Sequence, residues 1–134
     1  MNKRPILGIT MGDPAGCGPE ITIKALRNPQ MYEKCRPIVI GDCNVLADSI
    51  RILKEEDRIH LNPVSSVKDA KFEFGTIDVY QMDLIDMDQF EYGKVSAMCG
   101  EAAFQCVKKV IELAMAGEVD ATITNALNKE AINL

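Results

Sequence analysis

Short apolar runs alternate with amphipathic stretches in the first half of the chain. Pro5 to Thr10 and Arg36 to Gly41 are short, apolar and followed by glycine-containing segments, which is typical of strands buried on both faces of a sheet. The stretches from Pro19 to Leu26 and from about Val45 to Lys54 carry apolar residues at helical spacing. The resulting order βαβα predicts a parallel sheet, because each crossover returns the next strand in the same direction.

The middle of the chain has a weaker pattern. Residues from Ile59 to Phe74 are mixed and polar, and Asn62-Pro63 and Ser65-Ser66 are predicted to form turns. Thr76 to Gln81, which follows Gly75, is predicted to be a strand.

A long helix from Ser96 to Ala116 dominates the second half, and Gly117 follows it where a left-handed cap is expected. Its predicted apolar face consists of Ala103, Cys106, Val107, Val110, Ile111 and Ala114. Val119 to Thr124 is predicted to be a strand, and Asn128 is predicted to cap a final helix from Lys129 to Leu134.

These elements predict an α/β fold with a mostly parallel sheet covered by helices on both faces. Ligands of such sheets bind in the crevice beyond the carboxyl ends of the strands. Two loops are therefore candidates for binding: residues Met11 to Gly18 and residues Asn125 to Asn128.

Composition narrows the classes of function. The chain has 134 residues, is 47% hydrophobic, and carries a net charge of −5, which suits one folded domain and argues against nucleic-acid or anionic-membrane partners. No apolar run is long enough to cross a bilayer. The five cysteines form no CxxC pair and mostly lie in apolar runs, so we expect free thiols and a cytoplasmic location.

The glycine-rich segment from Gly12 to Glu20 is the first candidate site. Glycines at the start of a helix let backbone N–H groups approach an anion or the polar edge of a cofactor. The predicted cofactor-binding residues are Gly12, Asp13, Pro14, Gly16, Gly18 and Glu20. The spacing matches neither common phosphate-binding pattern, and Asp13 would repel a phosphate beside it. An Asx-Pro turn at Asp13-Pro14 is the structural alternative.

The second candidate site follows the last predicted strand. Asn125, Asn128 and Lys129 place two amides and an ammonium group at a strand-to-helix corner, where they can hold a carboxylate or phosphate. The structural alternative is an asparagine cap beside a solvated lysine.

The sequence gives little support for a metal-binding site formed by neighbouring residues. Asp83, Asp86, Asp88 and Glu91 lack the spacing and the central glycine of a calcium loop, so a solvated loop is predicted. The one histidine, His60, has no partner at ligand spacing and is predicted to be structural. We therefore predict no metal ligand within this chain.

Ile9 to Glu20, with the sequence ITMGDPAGCGPE, resembles the opening signature of the 4-hydroxythreonine-4-phosphate dehydrogenase family. Further similarity lies at Phe74 to Val79, Gly93 to Ser96 with Gly100 and Ala103, Asp120 to Thr124, and Asn128 to Ala131. The resemblance spans essentially the whole chain.

That resemblance implies a two-domain homodimer with the fold of isocitrate and isopropylmalate dehydrogenases, of which residues 1–134 are the N-terminal portion. It implies NAD- or NADP-dependent oxidation and decarboxylation of a phosphorylated hydroxy acid, with Zn, Mg or Co as Lewis acid. Met11 resembles the sugar-acid catabolic branch, which acts on 4-phospho-D-threonate or 4-phospho-D-erythronate, more than the pyridoxine branch. Cys17 departs from the aliphatic residue that is usual there.

By the same resemblance, Gly12 to Glu20 lies at the cofactor and substrate cleft, and Asn128-Lys129 lies near the substrate. No residue is assigned a catalytic role. The family's metal-binding histidines lie beyond Leu134, so we expect little dehydrogenase activity from this chain alone, and we expect its uncovered sheet edge to promote oligomers or aggregation. Two alternatives remain: a non-catalytic fragment or binding module, and an acyl-phosphate transferase of similar fold.

Overall fold

The computed structural model describes residues 4–91 and 96–125. The strands are β1 (Ile6–Thr10), β2 (Arg36–Gly41), β3 (His60–Val64), β4 (Thr76–Gln81) and β5 (Ala121–Ile123). The helices are α1 (Gly18–Leu26), α2 (Pro29–Lys34), α3 (Cys43–Ile52) and α4 (Ala97–Met115), with a short 3-10 turn at Val67–Asp69.

The five described strands form one sheet in the order β3-β4-β2-β1-β5, and every neighbouring pair is parallel. This confirms the predicted α/β class and parallel sheet. β1 lies between β2 and β5, with Ile9 paired to Val39 on one side and to Ile123 on the other. The order of strands changes side at β1, since β2 lies on one side of it and β5 lies on the other.

Helices cover both faces of the sheet and create two apolar layers. One layer packs residues of α1 and α3, such as Ile23 and Leu46, against Val39 and Val79 of the sheet. The other layer packs α4, through Cys106 and Val110, against strand residues that include Ile38. The alternation of Ile38 and Val39 between the layers explains why β2 is apolar throughout.

The structure corrects the predictions for two segments. Asn62-Pro63 is not a turn, since both residues lie inside β3. This strand pairs only with β4 among the described strands, and an edge strand tolerates a proline because one side of its backbone needs no ladder partner. The short helix α2, capped by the side chain of Asn28, was missing from the predicted elements.

Helix α4 matches the prediction in extent but not in every buried position. Ser96 caps it, and Gly117 adopts a left-handed φ of 76°, as predicted. Ile111 is 50% exposed, so its predicted place on the apolar face is wrong, and Leu113 is buried instead. The predicted final helix from Lys129 to Leu134 lies outside the described residues.

The connection from β3 to β4 is held by one buried carboxylate. Asp78 is 1% exposed and accepts hydrogen bonds from Asn62 Nδ2 at 2.8 Å, from the Lys71 amide at 3.0 Å and from the Phe72 amide at 2.8 Å. Only the short 3-10 turn at Val67–Asp69 lies between β3 and β4, so these hydrogen bonds help to fix a crossover that has no α-helix.

Candidate functional site

The glycine loop, residues Met11 to Cys17, leaves the carboxyl end of β1 and leads into α1. The Met11 amide donates to the Ile40 carbonyl at 3.0 Å, which continues the pairing of β1 with β2 by one residue. The loop therefore starts at the carboxyl edge of the sheet, where parallel α/β proteins bind ligands.

Asp13 closes the glycine loop on itself. Its carboxylate Oδ1 accepts from the Ala15 amide at 2.8 Å, and its carbonyl accepts from the Gly16 amide at 3.0 Å. The Asx turn at Asp13-Pro14, the structural alternative for this segment, is present. Because these two N–H groups already have partners, they do not form a free cradle for a phosphate.

The six predicted cofactor-binding residues all lie on this loop or in the first turn of α1. Gly12, Asp13, Pro14 and Gly18 are buried, Gly16 is exposed and Glu20 is half-buried. Gly12 has a φ of 80°, a conformation that favours glycine. Nothing in this geometry places a cofactor, and their binding role stays a prediction.

Gly18 is required by a close approach of two backbone segments. A Cβ at this position would lie 2.3 Å from the Met11 carbonyl oxygen and 3.4 Å from Cβ of Asn125. The start of α1 is thus closely packed between the end of β1 and Asn125, two residues past β5.

Asn125 connects these segments by three hydrogen bonds. Its Nδ2 donates to the Thr10 carbonyl at 2.7 Å and to Thr22 Oγ1 at 2.8 Å, and its amide donates to Thr10 Oγ1 at 3.2 Å. The sequence predicted that Asn125 faces the same crevice as the glycine loop, and the structure brings the two together. Asn128 and Lys129, the other predicted substrate-binding residues, lie outside the described residues.

The start of α4 also contributes to this edge. The Ser96 hydroxyl caps the helix by accepting from the Cys99 amide at 3.2 Å. Burial raises the pKa of the Cys99 thiol; the Ser96 hydrogen bond opposes this shift, and the nearby Asp13 carboxylate adds to it. Cys99 is therefore a neutral thiol at pH 7.

Two further polar residues order the carboxyl edge. Asp42 caps α3 by accepting from the Asn44 amide at 2.8 Å, and it also accepts from the Ile85 amide at 3.3 Å. Gln81, the last residue of β4, accepts from the Cys43 amide at 2.7 Å. The sequence analysis missed Gln81, whose only signal was a polar residue at the end of a strand.

The described residues contain no group of three or more His, Cys, Asp or Glu side chains that could hold a metal ion. His60 is exposed at the amino end of β3, away from the glycine loop. Asp83 and Asp86 accept short-range bonds from Gln81 and from the Asp88 amide. The described donors therefore do not fit a divalent metal site.

A groove of about 680 Å³ opens at the opposite edge of the sheet, beside the amino ends of β3 and β4. Its lining includes Phe74, Arg58 and the ion pair of Arg27 with Glu55, whose atoms are 3.1 Å apart. Strands of five or six residues are about 17 Å long, so the groove is separate from the carboxyl-edge site.

Comparison with known proteins identifies the family. The model of the family described as pyridoxal phosphate biosynthetic protein PdxA matches residues 33–134. The chain belongs to the PdxA family. This confirms the resemblance to 4-hydroxythreonine-4-phosphate dehydrogenases that the signature around Gly12 indicated.

Relatives of known name agree with this PdxA assignment. A protein of Symbiobacterium thermophilum, with the provisional name D-threonate 4-phosphate dehydrogenase, is 46% identical over 132 residues, and a Clostridium botulinum protein with the same provisional name is 42% identical. The crystal structure of a 4-hydroxythreonine-4-phosphate dehydrogenase from Burkholderia phymatum is 40% identical and superposes with a TM-score of 0.93. In each case the match covers 98% of this chain but only 39% of the relative.

No helix within residues 4–91 and 96–125 combines the length and the apolar character needed to cross a membrane.

Proposed function

We propose that this chain works, within a polypeptide of the length of its relatives, as a dehydrogenase of D-threonate 4-phosphate. That longer polypeptide is called the full-length protein below. The observation that carries the proposal is the 46% identity, over 98% of this chain, to a protein that bears this provisional name. Met11 in the glycine loop supports the same sugar-acid branch. 4-Phospho-D-erythronate and 4-hydroxythreonine 4-phosphate are the competing substrates.

The proposed reaction is oxidation of the C3 hydroxyl by NAD or NADP, followed by loss of the carboxylate from the resulting β-keto acid. A divalent cation, Zn, Mg or Co, would supply Lewis-acid stabilisation of the developing oxyanion. Because the described residues do not assemble a metal site, the proposal places the metal donors elsewhere in the full-length protein. For the same reason we propose that the 134-residue chain alone does not turn over substrate.

The part proposed for this chain is to shape one wall of the cleft. The glycine loop is rigid because Asp13 engages the amides of Ala15 and Gly16, and its tip presents Gly16 and Cys17 to solvent. A loop closed in this way is preorganised, which lowers the entropic cost of fitting a ligand against it. The proposal also includes a homodimer in the cytoplasm.

The test is a spectrophotometric assay of the full-length protein for reduced nicotinamide at 340 nm, with the three phosphorylated acids and with NAD and NADP separately. The expected result is the highest kcat/KM with 4-phospho-D-threonate, loss of activity with chelator, and recovery on addition of a divalent metal. Failure to reduce either cofactor with any of the three acids refutes the proposal. The transferase alternative needs neither NAD nor a metal, so loss of activity on adding chelator counts against it.

A further inference from the structure

We propose that Asn125 is a positioning residue, which locks the glycine loop and α1 to the segment that follows β5, and that its side-chain amide donates no hydrogen bond to the substrate. This proposal rests on the proposed function only in placing the cleft at the carboxyl edge of the sheet. It differs from the reading of the sequence alone, in which Asn125 offers its amide to an anionic group.

The side-chain N–H donors of Asn125 already have partners within the protein. A side-chain amide has two N–H bonds, and both are engaged: one donates to the Thr10 carbonyl at 2.7 Å and the other to Thr22 Oγ1 at 2.8 Å. A phosphate or carboxylate accepts hydrogen bonds and is repelled by a carbonyl oxygen. Asn125 therefore has no side-chain donor left for an anionic substrate.

The hydrogen bonds of Asn125 continue through Thr22 to α1. Thr22 Oγ1 accepts from Asn125 and donates onward to the Gly18 carbonyl at 2.9 Å. Thr10 and Thr22 are 0% and 2% exposed, so water does not compete for these groups. The bonds link the end of β1, the first residue of α1 and Asn125, which lies two residues past β5, into one clamp. The clamp consists of Thr10, Gly18, Thr22 and Asn125.

Gly18 packs closely against the residues around the clamp. A Cβ on Gly18 would lie 2.3 Å from the Met11 carbonyl oxygen and 3.4 Å from Asn125 Cβ, so these segments pack closely beside the hydrogen bonds of the clamp. In the sequence, Asn125 is 115 residues from Thr10 and 103 from Thr22. The clamp thus connects two loops of the cleft that are far apart along the chain.

The test uses three variants of the full-length protein and one matched control. Asn125→Ala removes the donors, Thr22→Val removes the hydroxyl at nearly constant shape, and Thr22→Ser retains the hydroxyl. Thr76→Val is the control, because it makes the same chemical change at the amino end of β4, and the described residues give its hydroxyl no hydrogen-bond partner.

The first readout is amide hydrogen exchange in a peptide that covers Met11 to Gly18, which needs no activity. Asn125→Ala and Thr22→Val are each expected to accelerate exchange there by about tenfold, because a cooperative hydrogen-bond unit is lost. Thr22→Ser and Thr76→Val are expected to match the wild type. Unchanged exchange in Asn125→Ala overturns the proposal, even if the full-length protein proves to lack dehydrogenase activity.

The second readout is a double-mutant cycle on kcat and KM with the phosphorylated acid. If Asn125 acts through the clamp, Asn125→Ala and Thr22→Val should each lower kcat about tenfold and change KM less than threefold. The kcat of the double variant should be no lower than that of either single variant. A direct substrate contact instead predicts a large rise of KM in Asn125→Ala, near-normal kinetics in Thr22→Val and multiplicative effects. The latter result overturns the proposal, whereas an inactive wild type refutes only the proposed function.

Discussion

Replacement of Gly18 by alanine tests whether the start of α1 is as tightly enclosed as the structure indicates. The new Cβ would lie 2.3 Å from the Met11 carbonyl oxygen, about 0.7 Å inside the 3.0 Å limit that real Cβ atoms respect. The φ angle of Gly18 is not in the left-handed region, so backbone strain is not part of the expected effect. The consequence is purely steric.

The cost of Gly18→Ala depends on how far the Met11 backbone must move to admit the new Cβ. Met11 is 1% exposed and its amide donates to the Ile40 carbonyl, so displacement of its backbone disturbs both the core and the sheet. Overpacking of a tight core costs roughly 1–3 kcal/mol, and a weakened buried hydrogen bond adds about 1 kcal/mol. We therefore expect Gly18→Ala to lower the free energy of unfolding by about 3 kcal/mol, a drop in Tm of roughly 10 °C for a chain of this size.

The assay is urea and thermal unfolding of the 134-residue chain followed by circular dichroism, with Gly16→Ala as the matched control in the same loop. A Cβ on Gly16 would lie 3.5 Å from the Asp13 carbonyl oxygen, an ordinary contact, so its unfolding free energy should change by less than about 0.5 kcal/mol. Equal stability of the two variants would refute the enclosed geometry at Gly18.

Four further predictions concern the packing of side chains and the reactivity of thiols. Asp78→Asn should lower the free energy of unfolding by about 2 kcal/mol, measured by urea denaturation. The NH2 group that replaces one carboxylate oxygen cannot accept a hydrogen bond, so the amide of Lys71 or of Phe72 loses its acceptor. Gly8→Ala would place a Cβ 2.7 Å from Val110 Cγ2, so its cost of about 2 kcal/mol should largely disappear in a Val110→Ala background, measured by a double-mutant cycle. Iodoacetamide at pH 8 should label the exposed Cys17 first and Cys106 last, because burial raises the pKa of Cys106 to about 12. The same shift predicts that stability is full below pH 9 and falls as pH rises from 9 to about 12, since the unfolded thiol ionises first.

Each of these predictions has a control. Asp86→Asn, at an exposed carboxylate, should leave the unfolding free energy nearly unchanged, and a loss equal to that of Asp78→Asn would contradict the role of the buried bonds. Additive costs of the Gly8 and Val110 substitutions would show that the two side chains do not collide. Cys106→Ala should reduce the alkaline loss of stability, and part of the loss should remain because burial also raises the pKa of Cys43 to about 11. An unchanged slope would contradict the contribution of the Cys106 thiol.

The elements with a strong local pattern were predictable. The apolar run of β2 indicated its bounds correctly, as did the position of β4 after Gly75, and Gly117 marked the end of α4 by its left-handed conformation. The alternative of an Asx turn at Asp13-Pro14 was also correct, because such a turn needs only residues that are adjacent in the chain. Periodicity and capping act over about four residues, which is the range that a sequence pattern reports.

Tertiary structure decided the rest. Asn62-Pro63 has the composition of a turn, yet pairing with β4 at the sheet edge makes it part of a strand. Ile111 lies outside because packing of α4 on the sheet selects the stripe through Val110 and Leu113.

The candidate site shows the same division between sequence and tertiary structure. Sequence determined that Asn125 and the glycine loop lie at the same edge of a parallel sheet, because both follow strands and carboxyl ends of parallel strands meet there. Only the tertiary structure decided what the Asn125 amide binds, since its partners Thr10 and Thr22 are more than 100 residues away. Hydrogen-bond partners at that separation depend on how the strands are ordered, and no local pattern of residues encodes that order.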